Sequence, residues 1–187
     1  MALLEIDNLS VAFQTAGGLF TAVDRVSIKL DGGEVLSIVG ESGSGKSTTA
    51  RVITGLLPPQ QGNVLFNDEP LPLALKDRSK DQLRRIQMIY QMADTAMNPK
   101  HTVRDIIGRP LEFYLGLSGK ALDQRISELL KMIELDDSFM ERLPGELSGG
   151  QKQRICIARA LAAEPNGVDF IARETAPAIT RPPKPAP

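Results

Sequence analysis

The chain has 187 residues, of which 42% are hydrophobic and 24% are charged, and its net charge is −1. This length suits one domain with a buried core, and the near-neutral charge excludes a general nucleic-acid binder, so no nucleic-acid partner is expected. Cys156 is the only cysteine, which excludes an internal disulfide. No apolar run approaches the roughly 20 residues of a membrane span, and the N-terminus lacks the features of a signal peptide. A cytoplasmic location is therefore expected.

The first 31 residues have the pattern of an antiparallel β-sheet. Residues 3–6 and 10–13 are predicted as two short strands joined by a turn at Asp7 and Asn8. Alternating apolar residues predict a further strand over 22–30, and a turn at Asp31, Gly32 and Gly33 follows it.

Residues 40–48 read Gly-Glu-Ser-Gly-Ser-Gly-Lys-Ser-Thr and have the pattern of a phosphate-binding loop. An apolar run over 35–39, predicted to be a buried strand, precedes them, and a helix is predicted over 49–56. Strand, glycine-rich loop and helix in this order are the context that the motif requires. The glycines let successive N–H groups turn inward, and the helix N-terminus adds its partial positive charge.

A nucleoside triphosphate is the expected ligand of this loop. Lys46 is predicted to reach the β- and γ-phosphates and the Ser47 hydroxyl to bind Mg²⁺, with Thr48 a poorer candidate for the metal. The alternative, a glycine-rich turn without a ligand, is disfavoured because lysine, hydroxyl, strand and helix are all present. The predicted nucleotide-binding residues of the loop are Gly40, Ser42, Gly43, Ser44, Gly45, Lys46, Ser47 and Thr48.

Beyond the loop, strands are predicted over 62–66 and 86–90, separated by a polar connector over 67–82. The second of these strands ends at Gln91, a polar side chain at a strand's edge. Helical periodicity then predicts helices over 102–117 and 121–135, with core residues Leu122, Ile126, Leu129, Leu130 and Ile133. A helical insert, over about residues 92–148, therefore lies inside an α/β nucleotide-binding domain spanning 1–165.

A second glycine-rich motif, Leu-Ser-Gly-Gly-Gln at residues 147–151, precedes a predicted helix over 152–163. Alone, Ser-Gly-Gly would be read as an ordinary N-cap turn. Together with the loop at residues 40–48, it is better read as a second anion-binding nest.

These motifs, with Gln91 between them, resemble the nucleotide-binding subunit of ATP-binding-cassette (ABC) transporters over about residues 2–165. Within that family, Ala-Val-Asp at 22–24, the form of the phosphate loop and Asn98-Pro99 look like the ATPases of peptide and nickel importers. The resemblance implies an α/β fold with a P-loop NTPase core, an antiparallel β subdomain and an inserted α-helical subdomain. It also implies that the fold is incomplete at the C-terminus.

The resemblance implies how the two nests are used. Two ATP-binding subunits, identical or different, pair head to tail, and the second nest of one caps the γ-phosphate that Lys46 of the other holds. The residues of that cap are Ser148, Gly149, Gly150 and Gln151. Transmembrane permease subunits are the other implied partners, and they hold the ATPase at the inner face of the cell membrane.

The resemblance also assigns roles to three further side chains. Gln91 is expected to contact Mg²⁺ and the attacking water, while the segment after it faces the membrane partner. Phe13 resembles the aromatic residue that stacks on adenine, with Phe20 as the alternative, although either phenylalanine could instead belong to the core.

The sequence departs from the family pattern after Pro165, where a complete member has a Walker B aspartate, a catalytic glutamate and a switch histidine. Aligning residues 171–174 with that strand puts Arg173 in the place of the acid, so the similarity is taken as chance, and Asp169 is an equally poor substitute. His101, the only histidine, is expected to be a solvated loop residue. Residues 166–187 are expected to be a disordered tail, as a truncated or frame-shifted gene would give.

The sequence therefore predicts the ATP-binding and hydrolysing subunit of an importer. This particular chain is expected to be deficient in hydrolysis. Two alternatives stay open: a degenerate ATP-binding module without turnover, and a soluble ABC-type ATPase acting on DNA or ribosomes. The second lacks the long coiled-coil inserts or duplicated cassettes that would support it. A GTPase is excluded because no Asn-Lys-x-Asp guanine-binding motif occurs. The solute is selected by other subunits and is not encoded here.

Overall fold

The structure, a computed structural model, describes residues 2–163 together with the backbone of residues 171–173. Its strands are β1 (Ala2–Thr15), β2 (Gly18–Asp31), β3 (Gln61–Phe66), β4 (Glu69–Pro70), β5 (Gln87–Ile89) and β6 (Ile171–Arg173). Its helices are α1 (Lys46–Ile53), α2 (Lys80–Arg85), α3 (Ala93–Ala96), α4 (Val103–Pro110), α5 (Gly119–Met132) and α6 (Gly149–Leu161). Four strands form one sheet in the order β2-β1-β3-β4, and β5 and β6 form a second.

The first strand runs without interruption, so the prediction of two strands joined by a turn at Asp7 and Asn8 is wrong. The pairing of β1 with β2 shifts register between Ile6 and Leu9, and Asn8 has a φ of 49°. The physical reason is the spacing of the apolar residues, because Ile6 and Leu9 are three positions apart. An irregularity that absorbs the extra residue returns Leu9 to the buried face on which Ile6 lies.

The four-stranded sheet buries one face against α1 and the segment before β5. Burial of aliphatic side chains stabilises this layer by about 25 cal/mol per Å² of apolar surface. Its core consists of Leu4, Ile6, Leu9, Val11, Val23, Leu30, Val52, Ile53, Val64, Phe66, Leu71 and Ile86.

The connector predicted over 67–82 contains more structure than the sequence suggested. Asn67 and Asp68, with φ of 52° and 63°, form a two-residue turn between β3 and β4, as asparagine and aspartate can. Helix α2 begins inside the predicted connector, with Ser79 and Gln82 forming a capping box. The signal Ser-x-x-Gln was present in the sequence but lay among polar residues without apolar periodicity.

Buried Arg78 fixes the end of α1. Its guanidinium donates to the carbonyl oxygens of Ile53 at 2.7 Å and of Pro72 at 3.0 Å. Gly55 follows the helix in the left-handed region, with a φ of 77°, and a Cβ there would lie 2.8 Å from the guanidinium carbon. The helix that begins at Lys46 is therefore anchored at its far end.

The strand predicted over 35–39 is not formed, and this prediction is wrong for the structure. Residues 34–40 are in neither helix nor strand, and Val35 and Val39 are 93% and 83% exposed. A strand needs a neighbour for its N–H and C=O groups, and none of the residues that the structure describes pairs with this segment. Its apolar composition alone therefore does not make it a strand.

A second core is built by the helices. Helix α5 buries Leu122, Ile126, Leu129 and Leu130 as predicted, and α6 buries Ile155 and Cys156 against them. The single helix predicted over 102–117 instead changes at Pro110, after which residues 111–115 form a π-helical turn that ends at Gly116. Proline lacks an N–H donor, which accounts for the change in helical pattern.

Strand β6 lies in the segment that was predicted to be disordered, and for residues 171–173 that prediction is wrong. It pairs with β5 in parallel, with Gln87 opposite Ile171. Ladder bonds along the edge of β5 account for a strand in so short a segment. Asp169, Glu174 and the proline-rich end lie outside the described residues, and the boundary at 165 stays a prediction. Across the described part of the chain, no helix is long and apolar enough to cross a bilayer.

Candidate nucleotide-binding site

The backbone of the phosphate loop depends on glycine at two positions. Gly43 and Gly45 have φ of 85° and 86°, in the left-handed region that other residues adopt with strain. Gly45 is doubly constrained, because a Cβ there would lie 2.5 Å from the carbonyl oxygen of Ala22 in β2. The loop is therefore seated directly on the β-sheet layer, and Ala22 is a contact that sequence motifs did not identify as part of the site.

The Lys46 ammonium lies over this loop. Nζ donates to the carbonyl oxygens of Gly40 at 2.8 Å and Glu41 at 2.6 Å, and to Oγ of Ser44 at 3.1 Å. All three acceptors are neutral oxygens. A phosphate oxygen would give a stronger bond because that acceptor is itself charged, so these contacts hold the ammonium in place without neutralising it.

The N-terminus of α1 adds donors to the same place. Thr49 N donates to the carbonyl of Gly45 at 2.8 Å, so the amides of Lys46, Ser47 and Thr48 precede the first intrahelical bond. The first turn carries no acidic residue. Unpaired amides and the helix dipole together favour an anion at this point.

These groups line a cavity of about 320 Å³. Its lining comprises Phe13, Phe20, Ala22, the loop residues Ser42, Gly43, Ser44, Gly45, Lys46, Ser47 and Thr48, and Gln91. The structure thus brings Gln91, predicted from a different part of the chain, to the phosphate loop. Gly40 lies at the base of the loop, where a Cβ would be 2.7 Å from Ser44 Oγ.

The two aromatic candidates lie together at the edge of the cavity. Phe13 and Phe20 are directly opposed across β1 and β2, so both rings project from the same face of the hairpin. Their exposed fractions are 38% and 53%, so the alternative that either belongs to the core is wrong. Exposed π faces beside an anion site suit a planar base.

The second nest, residues 148–151, does not line this cavity. Ser148 is the N-cap of α6, where its Oγ accepts from Gln151 N at 3.3 Å and Gln151 Oε1 accepts from Ser148 N at 2.8 Å. A Cβ at Gly149 or Gly150 would meet nothing within 4 Å. The fold described here does not itself require glycine at these two positions, which fits a surface that another molecule approaches closely.

A second cavity, of about 540 Å³, lies beside the segment that follows Gln91. Met97, Asn98, Arg109, Phe113 and Arg159 are among the residues that line it. His101 also lines it, with Nε2 3.3 Å from Asn98 Nδ2. His101 lies in a loop, as predicted, and is partly rather than fully exposed.

Three long-range bonds that sequence reasoning missed hold residues 91–96, the segment that begins at Gln91. They come from Lys152, Gln153 and Arg159 of α6 and reach residues about 60 positions earlier in the chain. No local sequence signal marks contacts between such distant positions.

Comparison with known families gives a match over residues 23–168, to the family described as ABC transporter. The chain is 42% identical over 172 residues to the nickel import ATP-binding protein NikE of Escherichia coli K12. That alignment covers 88% of this chain and 63% of NikE. NikE of Shigella flexneri is 43% identical over 143 residues, with 76% and 53% covered. The chain spans less than two thirds of these relatives.

Solved structures show the same fold. The ATP-binding cassette MJ0796, in a dimeric post-hydrolysis state bound to ADP and phosphate, matches with a TM-score of 0.76 and 28% identity over 92% of this chain and 87% of that one. CbiO1 of Clostridium perfringens, part of the transporter complex cbiONQ, matches with a TM-score of 0.74 at 21% identity over 94% and 79%. The predicted architecture, a nucleotide-binding α/β fold with an antiparallel β layer and a helical insert, is confirmed.

Proposed function

Because the chain belongs to the ABC transporter family, as its motifs predicted, we propose that it is the ATP-binding and hydrolysing subunit of an importer, for peptides or nickel. We propose further that this chain is deficient in hydrolysis. The observation that carries the proposal is the single cavity shared by the phosphate loop, the pair Phe13 and Phe20, and Gln91.

The cavity suits ATP at both of its ends. Lys46 and the free amides at the start of α1 are donors for the phosphates, and the exposed rings of Phe13 and Phe20 are surfaces for adenine. The Ser47 hydroxyl and the Gln91 side-chain carbonyl are the hard oxygen donors that Mg²⁺ accepts. When bound with ATP, Mg²⁺ would neutralise part of the phosphate charge.

The second nest indicates a second ATP-binding subunit. Ser148 and Gln151 hold the backbone at the start of α6, and Gly149 and Gly150 leave that backbone open. Because the nest lies outside the cavity of its own chain, we propose that it caps the γ-phosphate in a head-to-tail partner. The partner is a further copy of this chain or a related subunit.

The larger cavity suits the permease. It is lined by Met97 and Asn98 shortly after Gln91, by Phe113 of the π-helical turn and by Arg159 of α6. A partner element seated there would contact the same segment that carries Gln91 to the nucleotide. We propose that this face meets transmembrane subunits, which place the chain at the inner face of the cell membrane. Peptide or nickel is then cargo selected by those other subunits.

The hydrolysis defect is proposed from the composition of the cavity. Within the part of the chain that the structure describes, no side chain lining the cavity is a carboxylate. Gln91 can hold a water molecule but cannot accept its proton, and general-base catalysis contributes about 10² to 10⁴ in rate. The same observation favours the second candidate, an ATP-binding module without turnover.

Nucleotide-dependent association of a Gly149→Glu variant tests the proposal. A carboxylate at this position would repel the phosphate of a partner, whereas the free space around Gly149 accommodates the side chain. Gly145→Glu is the matched control, because Gly145 is exposed and also has open space around it.

Binding of ATP by calorimetry and mass by light scattering are measured for each protein with Mg²⁺. We expect all three to bind ATP, and the wild type and Gly145→Glu, but not Gly149→Glu, to dimerise with ATP. A wild type that binds no ATP would refute the proposal. Dimerisation of Gly149→Glu like the wild type would refute the role of the second nest.

A further inference from the structure

Helix α6 holds the chain that leaves β5 by three side chains. Gln153 Nε2 donates to the main-chain carbonyl of Gln91 at 2.7 Å. Lys152 pairs with the carboxylate of Asp94, and Arg159 donates to the carbonyl of Ala96. The bonds fall at both ends and in the middle of a short segment, residues 91–96, so this segment is fastened to α6 along its length.

Helix α6 also carries the second nest. Ser148 caps the helix and Gln153 is five positions further along, little more than one turn from the glycines. The helix is fixed in the helical core by the fully buried Ile155 and Cys156. A displacement of the nest must therefore move α6 together with the side chains that hold residues 91–96.

We propose that Gln153 is a positioning residue for Gln91, so that the place of the Gln91 side chain at the phosphate cavity follows the position of α6. This proposal rests on the proposed function, in which Gln91 is an Mg²⁺ ligand. Gln153 is the key contact because it bonds the Gln91 main chain itself. The pair of Lys152 with Asp94 contributes less, because the Asp94 side chain is 71% exposed.

Hydrogen exchange tests the attachment without nucleotide. In Gln153→Ala, the amides of residues 91–97 are expected to exchange faster than in the wild type, while those of α1 keep their wild-type rates. Gln124→Ala is the matched control, because Gln124 is an exposed glutamine of α5 whose side chain bonds Glu128. Unchanged exchange over residues 91–97 in Gln153→Ala would overturn the attachment.

Metal-dependent ATP binding tests the positioning role, using the full chain titrated with ATP in Mg²⁺ and in EDTA. Loss of one positioning hydrogen bond is expected to weaken ATP binding in Mg²⁺ about three- to tenfold. The affinity in EDTA is expected to stay unchanged, because Gln91 then has no metal to bind. In a Gln91→Ala background, Gln153→Ala is expected to have no further effect.

A merely structural role for Gln153 would give a different pattern. Equal weakening in Mg²⁺ and EDTA, or undiminished weakening in the Gln91→Ala background, would overturn the positioning role while leaving the proposed function intact. A wild-type chain that binds no ATP in either condition would overturn the proposed function and, with it, this role. The exchange measurement decides the attachment in either case.

Discussion

The guanidinium of Arg78 donates to the carbonyl oxygen of Ile53 at 2.7 Å, at the end of the helix whose first residue is Lys46. Burial lowers the pKa of Arg78, because a charged guanidinium loses hydration there. Two of its hydrogen bonds go to the carbonyl oxygens of Ile53 and Val52 at the C-terminal end of α1, which carries the negative end of the helix dipole.

Arg78→Met is therefore expected to lower the free energy of unfolding by about 2 to 4 kcal/mol, since it leaves buried carbonyls without a donor. Urea denaturation followed by circular dichroism measures the change. Lys76→Met, at an exposed position two residues earlier, is the control and is expected to stay within about 0.5 kcal/mol of the wild type. Equal effects of the two substitutions would contradict the anchoring role.

Lys46→Ala is expected to weaken ATP binding by about 1.5 to 3 kcal/mol, or roughly tenfold or more, because it removes a charge-assisted contact to the phosphates. Isothermal calorimetry on folded protein measures the affinity. Lys131→Ala, an exposed lysine of α5, removes the same charge far along the chain and is expected to bind ATP as the wild type does. Wild-type affinity in Lys46→Ala would show that the loop does not hold the phosphates.

ATP turnover by the purified chain is expected to be negligible, and Glu174→Gln is expected to leave it unchanged. The reason is the absence of a carboxylate among the described side chains that line the cavity. Glu174 follows β6 directly in the sequence and lies outside the described residues. Release of phosphate is the measurement. Steady turnover that disappears in Glu174→Gln would identify Glu174 as the base.

The exposed apolar run before the phosphate loop is expected to bind hydrophobic dye and to promote aggregation. Val35 and Val39 contribute most of this surface. The double variant Val35→Thr with Val39→Thr is expected to lower dye fluorescence without lowering the melting temperature. Val11→Thr, which is the same change at a fully buried position, is expected to destabilise the fold. A wild type with a sharp, reversible melt near 45 to 65 °C and no dye binding would contradict this expectation.

The loss of stability between pH 7 and pH 3 is expected to depend in part on Asp105. Hydrogen bonds from the backbone N–H and hydroxyl of Thr102 lower the pKa of the Asp105 carboxyl below its usual value of 3.8. A carboxyl whose pKa is lowered on folding stabilises the fold at pH values above its pKa in the unfolded state. This stability is lost as the pH falls through its pKa in the folded state. Asp105→Asn should therefore be less stable than the wild type at pH 7, with the difference shrinking below pH 3.8. The effect is small because the carboxylate is exposed. Urea melts at both pH values measure it, and a constant difference would contradict the assignment.

Local chemistry made much of the site predictable. Residues Gly40 to Thr48 can be recognised as a phosphate-binding loop from the sequence alone. Such a loop needs glycines with positive φ, close approach of the backbone to the ligand and a lysine, all in a fixed order. Leu122 and Ile126 indicated a buried helix face by their spacing alone. Contacts between distant positions, such as Gln153 with Gln91, have no local pattern and required the fold.

Three of the wrong predictions concern strands. The run over 35–39 has strand composition, yet composition cannot provide the neighbour that a strand needs. Conversely, β6 is only three residues long and forms because β5 offers an edge. At Asp7 and Asn8 the polar pair resembled a turn, whereas the apolar residues on either side keep β1 continuous.

The close contact of Gly45 with Ala22 gives the cavity a fixed length. Ala22, which supports the phosphate loop, and Phe20, which lines the aromatic end of the cavity, both belong to β2. The distance between the two ends is therefore set by this strand. Under the proposed function, a nucleotide would span both ends of the cavity. Adenosine alone would contact only the aromatic end and inorganic triphosphate only the loop, so each is expected to bind more weakly than a whole nucleotide.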